Sequence, residues 1–308
     1  MLTTLAAVLI SVLVILLVTI LGVWWRQERI AYQPPTQWPP SPADVRRIDY
    51  VAADGQSLFA FVVEAGRPPV GILLAFHGNA DLAVWQIPWA RELAHRLGWC
   101  VVLAEYRGYG GLGGEPSYLG VRDDARAAWR AVLQIGRELK GPVPRYALFG
   151  HSLGSAVATE LATEIASGMP TMDGEGSVSP TAVIALVLQS PFTSARDMVR
   201  IVSTRPVQLV WKIISRVHYD TRSGLRDTTA PVSIAHGARD WLVPAAMGQE
   251  LFTGARVPGQ LLVVDRAGHN DVADVGGESY WRWLSAALSD RPVSCLEAGS
   301  TPRTETLD

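Results

Sequence analysis

Tyr146-Ala147-Leu148-Phe149-Gly150-His151-Ser152-Leu153-Gly154-Ser155-Ala156 passes from a short apolar run to a helix-like one through a single turn. A turn this tight forces the serine backbone into a strained conformation, and side chains two residues to either side of it would collide. Gly150 and Gly154 remove those collisions, and the small Ser155 and Ala156 let the helix approach its strand. The pattern is the G-x-S-x-G elbow, in which a serine hydroxyl is presented at the carboxyl edge of a sheet, beside a helix N-terminus. Ser152 is therefore the candidate nucleophile, with Gly150 and Gly154 as the structural residues of the elbow.

Outward from the elbow, apolar runs alternate with helical patterns. The runs are 70–76, 99–104, 146–149, 183–188, 232–235 and 261–264, apolar at nearly every position, as suits strands buried on both faces of a parallel sheet. Residues 47–53 and 58–64 read as a first hairpin around Asp54-Gly55. Helix-like stretches lie at 85–97, 121–139, 155–166, 245–253 and 280–288. Strands alternating with helices predict an α/β doubly wound sheet, and with the elbow an α/β-hydrolase fold: a mostly parallel central sheet with helices on both faces. Residues 167–180 read as a Gly-, Ser- and Pro-rich surface loop. Residues 192–229, long and mixed, read as a small helical lid inserted in a domain spanning 46–290, and 291–308 as a polar tail.

The beginning of the chain differs in composition. No charged side chain occurs between Leu2 and Trp25. As a helix this stretch would span roughly 36 Å, against about 30 Å for a bilayer's hydrocarbon core. Trp24 and Trp25 sit where an interfacial aromatic belt would place them. Residues 1–25 are thus expected to be a single-pass transmembrane anchor, and the proline-rich stretch 26–45 a linker. Arg26, Arg29, Arg46 and Arg47 follow the span, so the positive-inside rule favours a domain on the cytoplasmic side.

The chain carries 27 basic and 29 acidic residues, a formal net charge of −2. The basic residues are scattered, and nucleic-acid binding would need a clustered basic face. Cys100 and Cys295 fall in unlike contexts, with neither disulfide nor metal-ligand spacing expected. The glycines of Tyr106-Arg107-Gly108-Tyr109-Gly110-Gly111 form no phosphate cradle. No metal and no cofactor are expected. Tyr109 is a candidate pocket-lining residue, Trp85 and Trp89 read as helix-face core, and Asp123 and Asp124 as first-turn helix residues.

A serine hydroxyl needs a base, and the base an orienting acid. In this fold they follow in the order Ser, Asp or Glu, His, each after a strand end. His218, His236 and His269 follow Ser152. His269 lies in the loop after the last strand, with acids already behind it, and is the expected base. Asp240, after the run 232–235, is favoured by chain order over Asp265 and Asp271 as the acid. The oxyanion that forms on the substrate needs two N–H donors. The amide of Leu153 is one, and the amide of Asn79, in the loop His77-Gly78-Asn79-Ala80, is the other.

Together, His77-Gly78-Asn79-Ala80, Tyr106-Arg107-Gly108-Tyr109-Gly110, Gly150-His151-Ser152-Leu153-Gly154, Pro191-Phe192-Thr193-Ser194, His236-Gly237 with Asp240, and Gly268-His269 resemble the membrane-anchored α/β-hydrolase-domain group. That group is related to serine aminopeptidases and lysophospholipase-like esterases and includes protein depalmitoylases and lipid hydrolases. The resemblance, over roughly residues 46–290, implies hydrolysis of carboxylic esters or thioesters of an acyl or lipid-like substrate. It implies Ser152 as nucleophile, Asp240 as acid, His269 as base, and Asn79 and Leu153 as oxyanion donors. Two departures are Glu105, where relatives often carry Asp, and the insertion 167–180. A peptidase or amidase, or a non-catalytic membrane adaptor, are the alternative readings.

Overall fold

The computed structural model describes residues 2–66, 68–139, 145–169 and 183–289. Among these residues, eight strands form one sheet in the order β1-β2-β4-β3-β5-β6-β7-β8. They are β1 (Arg46–Val51), β2 (Ser57–Val63), β3 (Gly71–Phe76), β4 (Cys100–Ala104), β5 (Arg145–His151), β6 (Val183–Gln189), β7 (Val232–Gly237) and β8 (Pro258–Val264). β1–β2 and β2–β4 pair antiparallel, and every later pair is parallel. This is the α/β-hydrolase fold expected from the elbow and the alternation. The first hairpin turns at Gly55, whose φ of +85° carries no steric penalty in glycine.

Strand alternation divides the core. Ile72, Leu74, Phe76, Leu148 and Leu188 pack with Trp129 of α3 (Tyr118–Glu138) and Val157 and Leu161 of α4 (Leu153–Ala166). Leu73, Ala75, Phe149 and Val187 point to the opposite face, against Leu93 of α2 (Ile87–Leu97) and Tyr280 and Leu284 of α9 (Val272–Ala287). Burial on both faces is why these strands are apolar at consecutive positions. Because β3 lies between β4 and β5, the loops leaving β3 and β5 emerge side by side, with Phe76 registered against Gly150. That adjacency builds the site.

Several boundaries differ from those read in the sequence. α1 runs Leu2–Ala31, so residues 26–31, read as the start of the spacer, are helical. Its apolar window has a mean hydropathy of 3.1, and it is long enough to cross a membrane. α3 begins at Tyr118, with Ser117 accepting from the Gly120 N–H as its cap, which moves Asp123 and Asp124 out of the first turn. α9 begins at Val272 and is interrupted at Gly277 (φ 49°, ψ −129°), upstream of the expected start at Tyr280. The stretch 192–229 holds α5 (Ala195–Val202), α6 (Arg205–Ile214) and α7 (Thr221–Asp227). α7 joins the domain body, where Thr163 Oγ1 donates to the Gly224 carbonyl. α8 (Ala245–Gly254) covers β7 through Leu251. Most of the insertion 167–180, the tail and Cys295 lie outside the described residues, and Cys100 is a buried free thiol.

Candidate active site

Ser152 stands between β5 and α4 with φ 51° and ψ −114°, the left-handed strain anticipated for an elbow. The two glycines are required sterically. A Cβ on Gly150 would lie 2.1 Å from the Gly154 carbonyl oxygen, and one on Gly154 would lie 2.1 Å from that of Phe76. The Ser152 N–H donates to the Gln189 carbonyl at 2.9 Å, tying the elbow to β6.

Three residues far apart in sequence meet above it. Ser152 Oγ is 2.9 Å from His269 Nε2, and His269 Nδ1–H donates to Asp240 Oδ2 at 2.7 Å. Asp240 Oδ1 accepts from the N–H groups of Leu242 (2.9 Å) and Val243 (2.8 Å). Burial by itself would raise the Asp240 pKa. The hydrogen bonds from His236, His269 and the Val243 amide outweigh it and hold the carboxyl far below its ordinary range. The group is thus a fixed anion beside the imidazole. Of the rival acids, Asp271 accepts from the Gly268 N–H at 2.6 Å and shapes the histidine loop, and Asp265 is exposed.

Further residues brace this relay. The His269 carbonyl accepts from Ser190 Oγ (3.0 Å) and from His151 Nε2 (3.2 Å), so both ends of the histidine are fixed. Burial and the neighbouring His269 push the His151 pKa down to about 4, which keeps its ring neutral. His236, wholly buried, donates through Nε2 to the Val243 carbonyl at 2.9 Å and lies 3.2 Å from Asp240 Oδ2. Neither Ser190 nor the bracing roles of His151 and His236 were anticipated. The signals were the positive φ of Ser190 (49°), invisible in sequence, and the strand-end position of His236.

The loop after β3 borders the elbow: a Cβ on Gly78 would sit 3.5 Å from Ser152 Cβ. Asn79 is the next residue of this loop. Beneath it, His77 Nδ1 donates to the Gly78 carbonyl (2.8 Å), and Nε2 pairs with Glu105 Oε1 (2.7 Å). Desolvation lowers the His77 pKa, but the Glu105 charge and hydrogen bond outweigh it and the net shift is upward. Glu105 also accepts from the Ala83 and Tyr106 N–H groups. Its extra methylene thus fills a structural role behind the loop.

Three sequence readings are corrected. Tyr109 does not line a pocket: it is fully buried, and its hydroxyl donates to Asn79 Oδ1 at 2.7 Å. Trp85 and Trp89 are not simply helix-face core. With Trp281, His151, Gln189 and Asn270 they line a cleft of ≈ 500 Å³ between α2 and α9. Asp124 is not a free helix-start charge but a buried partner of Arg107, at 2.7 Å. Among the described residues, no group of His, Cys, Asp and Glu is placed to hold a metal ion.

A serine oxygen bonded to an imidazole, itself bonded to a buried carboxylate, can add to an acyl carbon. Residues 67–227 match the family model described as serine aminopeptidase, S33. The chain belongs to that family of hydrolases. An uncharacterized protein of Mycobacterium tuberculosis is 34% identical to this hydrolase over 82% of the chain and 83% of its own length. The α/β-hydrolase domain-containing protein WAV2 of Arabidopsis thaliana is 27% identical over 83% and 85%. The lysophosphatidylserine lipase ABHD12 of Danio rerio is 27% identical over 59% of this chain and 46% of that protein. Among solved structures, an esterase from Pyrococcus furiosus superposes with a TM-score of 0.60 at 18% identity, over 82% of this chain and 95% of its own. A membrane phospholipase A, described as a bacterial virulence factor, gives 0.55 at 17%, over 93% and 97%. The hydrolase thus shares its fold with these solved esterase and phospholipase structures.

Proposed function

We propose that this hydrolase is a membrane-anchored serine esterase or thioesterase that cleaves acyl, lipid-like substrates through an acyl-Ser152 intermediate. The observation that carries the reading is the continuous relay from Ser152 Oγ through His269 to Asp240, at 2.9 and 2.7 Å.

His269 Nε2 takes the Ser152 proton as Oγ adds to the substrate carbonyl carbon. The negative charge on the carbonyl oxygen is received by the backbone N–H groups of Asn79 and Leu153, the latter at the first turn of α4. Collapse expels the alcohol or thiol, which takes the proton from His269 and leaves the acyl group on Ser152. Water, deprotonated by His269, then adds to the acyl carbon and releases the acid. Asp240 remains ionised throughout and holds Nδ1 protonated, so that Nε2 faces the serine.

α1 would hold the domain beside a pool of membrane-borne acyl substrates, and the tryptophan-lined cleft next to His151 and Asn270 offers apolar surface for part of such a molecule. The arginines after the span favour the cytoplasmic face. Two sets of measurements test the reading. p-Nitrophenyl esters of increasing chain length and an acyl thioester should be hydrolysed, and aminoacyl anilides much more slowly. Ser152→Ala should lose at least roughly 10³-fold in rate. Anilides turned over faster than every ester would replace the esterase reading with an aminopeptidase one. Inertness toward all of them would favour an adaptor. Labelling of Ser152 by a membrane-impermeant fluorophosphonate in intact against permeabilised cells reports the membrane side.

A further inference from the structure

A membrane tether needs only reach, and a flexible one would leave the domain free to turn. The end of α1 is bound otherwise. Gln27 is polar yet has no exposed surface. Its Nε2 donates to the carbonyls of Trp24 (2.9 Å) and Ile214 (3.0 Å), and its Oε1 accepts from the Arg216 N–H at 2.7 Å. Ile214 closes α6, so these bonds join the anchor helix to the lid segment. Glu28 accepts from the Tyr118 N–H at 3.1 Å and pairs with Arg216 at 3.1 Å. Arg29 pairs with Glu115, and the hydroxyls of Tyr32 and Tyr219 meet in a buried hydrogen bond of 2.9 Å.

The last link reaches the site. A helix leaves its final carbonyls without partners inside the helix. The carbonyl of Ala31, where α1 ends, accepts from Asn79 Nδ2 at 2.8 Å. Asn79 Oδ1 accepts from the Gln33 N–H at 2.8 Å and from the Tyr109 hydroxyl at 2.7 Å. Both polar atoms of the Asn79 side chain thus hold the exit of the anchor helix, one residue after Gly78, where an added Cβ would sit 3.5 Å from Ser152 Cβ.

We infer that α1 is a positioning element of the active site: the Asn79 side chain fastens the oxyanion loop to the end of the membrane helix, and Gln27 fastens the lid segment to the same helix. This rests on the hydrolase reading for its catalytic consequence, but not for its structural one. The upstream part of α1, before Trp24, is then an exchangeable membrane span, whereas Gln27 to Gln33 is not exchangeable for a linker. The orientation of the site relative to the bilayer is fixed as well.

Three variants of the full chain in detergent micelles test this: Asn79→Ala, Gln27→Ala, and a chimera in which residues 2–23 are replaced by an unrelated apolar helix of equal length. Asn79→Ala keeps the backbone donor but frees the loop. Its kcat per titrated site should fall about tenfold to hundredfold while KM stays within about threefold, because a displaced oxyanion donor weakens only the transition state. Gln27→Ala should lower kcat by a smaller factor, and the chimera should match wild type. Backbone hydrogen exchange of residues 77–82 gives a readout independent of turnover. It should quicken in Asn79→Ala and Gln27→Ala, with the central strands and the chimera unchanged. Exchange in the loop equal to wild type in both variants would overturn the inference, whatever happens to ester hydrolysis. So would a chimera as impaired as Asn79→Ala. A wild-type protein inert to esters but with the expected exchange pattern would overturn the hydrolase reading and leave the mechanical coupling standing.

Discussion

Asp240→Asn changes the relay without changing its shape. In the native site Asp240 has four donors around it: the Leu242 and Val243 amides on Oδ1, His269 Nδ1 on Oδ2, and His236 Nε2 at 3.2 Å from Oδ2. An asparagine has one accepting oxygen and one donating NH₂. Two backbone amides hold the oxygen at the Oδ1 position, so the NH₂ must face His269. Two donors cannot approach to 2.7 Å, so the imidazole moves its proton from Nδ1 to Nε2. Nε2 then has no lone pair for the Ser152 proton. Loss of the productive tautomer costs about 10⁴ in kcat in serine-protease triads, equivalent to about 5.5 kcal/mol. The assay is steady-state hydrolysis of a short p-nitrophenyl ester, with the melting temperature as the folding control. The expected result is a kcat lower by about 10³ to 10⁴, with KM within a few-fold. A variant that keeps a tenth or more of wild-type kcat would refute the assignment of Asp240 and the tautomer argument with it. Mild acid will not neutralise Asp240 itself. Because the folded pKa is depressed, the contribution of Asp240 to stability is full above the ordinary aspartate value of about 3.9 and is lost only as pH falls through the folded value.

Two further substitutions probe the frame around the site. Burial pushes Glu160, whose Oε1 accepts from the Tyr118 hydroxyl at 2.8 Å, up to about 7. A raised carboxylate destabilises the fold as pH rises from its unfolded value to its folded one. Glu160→Gln should therefore match wild type near pH 4 and be more stable at pH 8, by up to roughly 3 kcal/mol in urea denaturation. Equal stability at pH 8 would contradict the shift. Glu105→Gln should cost about 3 to 5 kcal/mol, since it removes one partner of the buried pair with His77. The His77 pKa is raised, so this stabilisation is full below about 6.5 and disappears as pH rises through the folded value. The gap between variant and wild type should narrow in alkaline solution, and a gap constant from pH 6 to 9 would argue that the pair is not ionised.

The elbow was legible because its demands are local. Gly150 and Gly154 are needed within a few residues of Ser152, and their spacing is written in the chain. His269 and Asp240 were legible because the order of strands dictates which loops reach the same rim. What escaped depends on tertiary contact alone. Nothing near Ser190 or His151 in the sequence signals that they brace His269, and the strand-end position of His236 does not name Asp240 as its partner, since these partners lie across strand boundaries. Tyr109 and the tryptophans were misread for a related reason. A tyrosine after a glycine-rich turn looks exposed, yet it folds under Asn79, and Trp85 and Trp89 look like core because the gap between α2 and α9 appears only when both helices are placed. The end of α1 was misassigned because the change from apolar to polar at Arg26 reads as the end of a helix. In fact Gln27 is satisfied by the Ile214 carbonyl and the Arg216 N–H, and the Ala31 carbonyl by Asn79, all more than forty residues downstream.

If Ser152 is the nucleophile, a fluorophosphonate should attach to its oxygen, which peptide mapping by mass spectrometry reads out. One adduct, on the peptide that contains Ser152 and absent from Ser152→Ala, is the expected result. No adduct on the native protein, or equal labelling of the alanine variant, would contradict it.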